Sequence, residues 1–139
     1  MLLPGVQLDI FTWPEVESVK LRNGQRWTFR NRLIQSEAEL RSAFAVLDQY
    51  EEGSYDTEAS GLKPHLGARI CGHAATIQTG KHELTNFYIP VRHQNTDEPQ
   101  LDPALVAQFF ARLFQIWQRV RGHHLKFDAL MCRADGVEI

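Results

Sequence analysis

The spacing of apolar positions changes character several times along the chain, and each change predicts an element. EAELRSAFAVLDQY, from Glu37 to Tyr50, sets Leu40, Ala43, Phe44 and Leu47 at helical spacing. Ser36 stands where an N-cap belongs, with Glu39 three residues on as a capping box, and Glu51-Glu52-Gly53 ends the run. A longer helical run, PALVAQFFARLFQIWQRV, aligns Leu105, Phe109, Leu113, Ile116 and Val120 on one side, with Asp102 as N-cap and Pro103 at the first helical position. Between these helices the pattern shortens to that of strands: SYDTE, then ARICGHAATIQ, a turn at Thr79-Gly80-Lys81, and HELTNFYIPV. These three read as an antiparallel meander. RWTFRNRLIQ (Arg26 to Gln35) reads as a short strand ahead of the first helix. A last strand is expected over Val120 to Leu125, and a last helix from Lys126 to Ala134, stopped by Gly136.

Residues 1–25 carry Pro4, Pro14 and Gly24 without a sustained period and read as an arm; residues 26–139 read as one domain. The element order suits an α/β sheet with the SYDTE strand at its centre.

Composition narrows the class. With 43% hydrophobic and 23% charged residues over 139 positions, the chain has the balance of one soluble globular domain. No apolar run approaches the roughly 18 residues of a membrane span, and MLLPGVQLDIF lacks the basic and apolar regions of a secretory signal. Cys71 and Cys132 belong to no CxxC pair and read as reduced thiols, so a cytoplasmic location is expected. The net charge of -2 speaks against coating long duplex DNA. It leaves open a site that holds a few nucleotides through metal ions, because the ions supply the positive charge. HELTN lacks the second His of a zinc-protease helix.

The chemistry concentrates in SYDTEASGL. Residues i and i+2 of a strand share a face, so Asp56 and Glu58 project together while Thr57 points away. Two like charges this close call for a partner, and hard carboxylate oxygens suit magnesium or manganese. The bland alternative is an edge strand whose solvent face happens to carry two acids.

YDTEASGLKP, followed by ARICGHAATI, NFYIPVRH and GHHLKFD, resembles the 3'-5' proofreading exonuclease domain of the DNA polymerase I family. That domain belongs to the DEDD superfamily and has a ribonuclease-H-like fold. Its first motif is D-x-E with a Leu four residues after the Glu, matched by Asp56, Glu58 and Leu62. Its second, G-[HQ]-N-[LI]-K-[FY]-D, is matched by Gly122 to Asp128 except that His124 replaces the Asn. The resemblance implies a mixed sheet, an antiparallel three-strand meander plus a parallel strand, with flanking helices. It implies a two-metal site using Mg2+ or Mn2+ in which Asp56 bridges both ions, Glu58 binds one and Asp128 the other. It further implies a single-stranded DNA 3' end as substrate, Leu62 wedged against the terminal base and His124 in the substrate-contacting position. Plain packing after a turn is the alternative for Leu62.

The third motif of the family, Tyr-x-x-x-Asp, does not occur in residues 1–139. The expected site is therefore incomplete, with the C-terminal part of the fold missing and activity weak or absent. The strand near Val120 to Leu125 is expected to be an uncovered edge, seeking a homodimer or a partner chain. QLDIF, at Gln7 to Phe11, resembles the peptide by which bacterial replication proteins dock on the sliding clamp, with Gln7, Leu8 and Phe11 as contacts. An ordinary apolar arm is the alternative. The competing function is a non-catalytic, replication-associated binding module.

Overall fold

A computed structural model of the chain describes residues 15–139. The QLDIF segment, with Gln7, Leu8 and Phe11, lies outside the described residues. In chain order the elements are β1 (Glu15–Lys20), β2 (Arg26–Leu33), α1 (Glu37–Leu47), β3 (Glu52–Ala59), β4 (Ile70–Gly80), β5 (Glu83–Pro90), α2 (Pro103–Ile116), β6 (Arg119–Arg121) and α3 (Leu125–Ala134). One turn of 3-10 helix at Pro64–Leu66 sits between β3 and β4.

The strands form one sheet in the order β1-β2-β5-β4-β3-β6. β3, β4 and β5 make the expected antiparallel meander, and β6 lies parallel to β3. This is the mixed α/β arrangement of a ribonuclease-H-like fold. β2 extends the sheet by pairing parallel to β5, and β1 pairs antiparallel to β2. The carboxylate strand β3 is therefore not central, as the sequence reading has it, but next to the edge. That position leaves part of its backbone free for other partners beyond the short β6.

Both predicted caps form. Ser36 accepts from the Glu39 amide at the start of α1, and Asp102 accepts from the Ala104 amide at the start of α2. The core is made where the helices meet one sheet face. Phe110 of α2 stands edge-on to Phe44 of α1, with ring centroids 4.9 Å apart, and also packs against Tyr55 of β3 and stacks on His73 of β4. Along β3, Gly53, Tyr55 and Thr57 are buried, while Ser54, Asp56 and Glu58 are exposed. Strand alternation thus delivers both acids to the face opposite the core.

Three expectations need correction. Residues 15–20, read as part of an arm, form β1; its partner β2 begins after a turn in which Gly24 has φ of 86°. Asn23-Gly24 is itself a hairpin signal. β1 escapes the periodic reading because Val16 and Val19 are three apart and exposed, so nothing is buried in alternation. α2 stops at Ile116 rather than running to Val120, because Trp117 turns inward and its Nε1 donates to the Leu47 carbonyl. The Gln118 amide then donates to the Glu51 carbonyl and starts β6. Finally, β6 spans only Arg119–Arg121, not Val120 to Leu125. The edge at which self-association is expected is therefore short, with both arginines against Glu52. Charged, short edges of this kind discourage further strand pairing. Among the described residues no helix is long and apolar enough to cross a membrane.

Candidate active site

Beyond Ser54, β3 has no parallel neighbour, since β6 pairs only with Glu52 to Ser54. The chain after β6 turns past this open edge at Gly122, where a Cβ would lie 2.9 Å from the Tyr55 carbonyl oxygen and 3.1 Å from Leu125 Cδ1. A side chain there would push the first turn of α3 away from β3. With glycine in place, α3 brings Asp128 against Thr57. The Thr57 amide donates to Asp128 Oδ1 at 3.2 Å and the Thr57 hydroxyl donates to the same oxygen at 2.8 Å. The middle residue of D-T-E is thus the anchor of the third carboxylate, a role the sequence reading does not give it.

Asp128 is 1% exposed, and its other oxygen, Oδ2, is buried without a hydrogen-bond partner. Burial pushes its pKa up, the Thr57 hydroxyl pulls it down, and the neighbouring Asp56 charge pushes it up again. An orphaned, desolvated carboxylate oxygen beside a second acid is costly unless a proton or a cation completes it. Hard oxygen donors of this type fit a divalent cation. Among the described residues, no three His, Cys, Asp or Glu side chains stand together closely enough to enclose an ion. The charge of Asp56 reaches Asp128, while the Glu58 carboxylate is engaged by other groups. Its Oε2 accepts from the Tyr88 hydroxyl at 2.8 Å and lies 3.8 Å from His93 Nε2.

The remaining predicted residues fall around this edge. Leu62 is 81% exposed in the turn after β3, beside Leu66 at 74%, so the packing alternative for Leu62 does not hold. Both border an open cavity with Ser60, Lys63 and Gly67. His124 caps the N-terminus of α3 without a side-chain hydrogen bond, its ring 4.4 Å from that of His123. Its charge, when present, favours the ionised form of Asp128. Tyr88 and His93 were not singled out by sequence; only the pairing of β4 with both β3 and β5 brings them to Glu58.

No protein-family model matches the chain, and no curated protein sequence matches it. One solved structure with a similar course is the EXO domain of Nibbler from Aedes aegypti, at 10% identity and a TM-score of 0.49. The superposition covers 88% of this chain and 51% of the other, so the chain spans about half the neighbour's length.

Thr57→Val tests the anchor directly, because valine keeps the shape and removes the hydroxyl. The expected result is a loss of about 1–2 kcal/mol of stability at pH 7, together with a further rise of the Asp128 pKa. Both can be read from urea unfolding at several pH values and from carboxyl NMR titration. An unchanged Asp128 titration would rule the anchor out.

Proposed function

We infer that the chain carries the carboxylate half of a metal-dependent phosphodiesterase site, and that its substrate is a nucleic-acid 3' end. The observation that carries this reading is the Asp128 carboxylate, which is buried against β3 with one oxygen fixed by Thr57 and the other unpartnered, close to the charge of Asp56. Asp56 and Asp128 would hold a divalent cation, while Glu58 is engaged by Tyr88. When bound, such a cation supplies the positive charge that draws a phosphodiester in and stabilises charge built up during its hydrolysis.

The chain's own residues do the rest. Thr57 fixes the direction of the Asp128 carboxylate, and Gly122 lets α3 approach. Leu62 and Leu66, exposed at the end of β3, offer an apolar surface for a terminal base. The finer assignment, to the polymerase I type of 3'-5' exonuclease acting on single-stranded DNA, rests on the resemblance of DTEASGL and GHHLKFD. Clamp docking through Gln7, Leu8 and Phe11 remains a separate proposal resting on the QLDIF peptide.

Hydrolysis of 3'-labelled single-stranded DNA and RNA, with Mg2+ or Mn2+, is the test. Residues 1–139 offer no Tyr-x-x-x-Asp, so slow removal of terminal nucleotides is expected of this polypeptide. Asp56→Ala should abolish that removal. Fast hydrolysis would contradict the expected weakness, and hydrolysis indifferent to Asp56→Ala would place the chemistry elsewhere.

A further inference from the structure

The loop that joins β3 to β4 is closed by its own hydrogen bonds, yet what it shows to solvent is apolar and basic. At its base the Ser60 amide donates to the Arg69 carbonyl at 2.9 Å, and the Arg69 amide donates to Ser60 Oγ at 3.0 Å. Inside it the Arg69 guanidinium donates to the Pro64 and Ala68 carbonyls, at 3.0 and 2.8 Å. A loop tied in this way holds Leu62, Lys63 and Leu66 outward, where all three are exposed. The turn Pro64–Leu66 packs against α3. On that helix Lys126 and Leu130, one turn apart, are exposed as well.

Charge is distributed unevenly around these two elements. Residues 59–82 and 103–127 contain no Asp or Glu, in a chain whose net charge is -2. Arg112, Arg119 and Arg121 are paired with Asp48 and Glu52. Lys63 and Lys126 enter no ion pair among the described residues, and Arg69 is held by carbonyl oxygens rather than by a carboxylate. The exposed side of β3, in contrast, carries Glu52, Asp56 and Glu58. A phosphodiester chain that reached Asp56 and Asp128 across the sheet would pass over those acids. One that arrived over the 60–69 loop and α3 would meet unpaired cations and exposed leucines. Single strands are held by this combination, a basic track for phosphates beside apolar surface for bases.

We propose that the 60–69 loop and the exposed side of α3 form the interface for a single-stranded nucleic acid, with Lys63 and Lys126 holding backbone phosphates and Leu62, Leu66 and Leu130 contacting bases. The proposal rests on the reading of Asp56 and Asp128 as the place of hydrolysis and adds the path by which the strand arrives. It requires no bound cation. Each phosphate neutralised on a single strand adds about 0.7 to the fall of log affinity with log salt, a factor of about five at 0.1 M. Glutamine at position 63 or 126 keeps a polar side chain of similar reach and deletes only the charge.

The experiment is fluorescence anisotropy of 5'-labelled oligo-dT and oligo-rU with the full chain, in EDTA and over a range of KCl concentrations. Lys63→Gln and Lys126→Gln should each weaken binding about fivefold near 0.1 M salt and flatten the salt dependence by about 0.7. The double variant should lose about 25-fold, with melting temperatures unchanged. Arg119→Gln, at the far end of β3 and paired with Glu52, should bind as the natural chain does. Asp128→Asn should bind at least as well, since it removes a negative charge beside the path. Absence of oligonucleotide binding at low salt overturns the interface, as does affinity indifferent to both lysines. So does lysine-dependent binding to anionic vesicles in place of oligonucleotides. Lysine-dependent binding without any hydrolysis in Mn2+ upholds the interface and counts against the reading of Asp56 and Asp128 alone.

Discussion

Asp128→Asn is expected to abolish divalent-cation binding while leaving the fold at least as stable at pH 7. Both halves follow from one geometry. Asparagine keeps the Oδ1 that accepts from the Thr57 amide and hydroxyl, so the tie between α3 and β3 survives. It removes a negative charge that is buried and faces the charge of Asp56. The pKa of Asp128 is raised from its usual 3.8, chiefly by burial. A carboxyl whose folded pKa lies above its unfolded value contributes its stability at low pH and loses it as pH rises through the folded pKa. At pH 7 the ionised group is therefore a burden on the fold, and neutralising it relieves that burden. Loss of one charged group of this kind typically lowers catalysed rates by about a hundredfold or more. Urea unfolding at pH 7 and Mn2+ titration check the two halves. A variant that unfolds more easily and still binds Mn2+ would mean that Asp128 is a structural residue. Destabilising groups kept at one place in a fold mark sites retained for chemistry.

The second large effect concerns His73, the cross-strand neighbour of Thr57 in the core. The ring is fully buried and stacked on Phe110, with Nδ1 2.5 Å from the Tyr55 hydroxyl, which also lies 3.2 Å from Cys132 Sγ. Its Nε2 has no partner. Burial lowers the pKa of His73 from 6.5 to about 4, while it pushes the Cys132 thiol up to about 11 and the Tyr55 phenol well above its ordinary value. All three groups are neutral at pH 7. As pH falls below 6.5 the unfolded chain binds a proton at His73 that the folded chain refuses until about pH 4. Stability is lost across that window, by about 3 kcal/mol in total. Asp128 acts in the opposite direction over part of the same range, so the cleanest measurement compares Asp128→Asn with Asp128→Asn/Tyr55→Phe/His73→Leu. Urea unfolding between pH 7 and pH 4 should show a steep fall in the first and a flatter profile in the second. Equal slopes would mean that His73 titrates normally in the folded protein.

Local signals carried much of the architecture. Ser36 with Glu39, and Asp102 with Pro103, mark helix starts because capping is a property of adjacent residues. Alternation in SYDTE predicts that Asp56 and Glu58 share a face, and they do. Helix ends set by distant contacts were not legible. Nothing within QIWQRV announces that Trp117 will donate to Leu47, seventy positions earlier in the chain. Val16 to Lys20 of β1 are all exposed, so its sequence signal is the Asn23-Gly24 turn. At the site, the three acids could be named from their motifs, but not their unequal settings. Asp128 is buried because Gly122 admits α3 to an open strand edge, and Glu58 is turned to Tyr88 because Gly72 vacates the space between them. Both depend on register between strands and on which strand ends first, and neither is a periodic property of the chain.

The most direct test of the site is crystallographic. Crystals of the chain soaked in manganese chloride should show an anomalous peak at bonding distance from an Asp56 oxygen and from Asp128 Oδ2, and Asp128→Asn crystals treated alike should show none there. A peak-free site in the natural chain at saturating manganese, with Asp128 Oδ2 still unpartnered, would contradict the account.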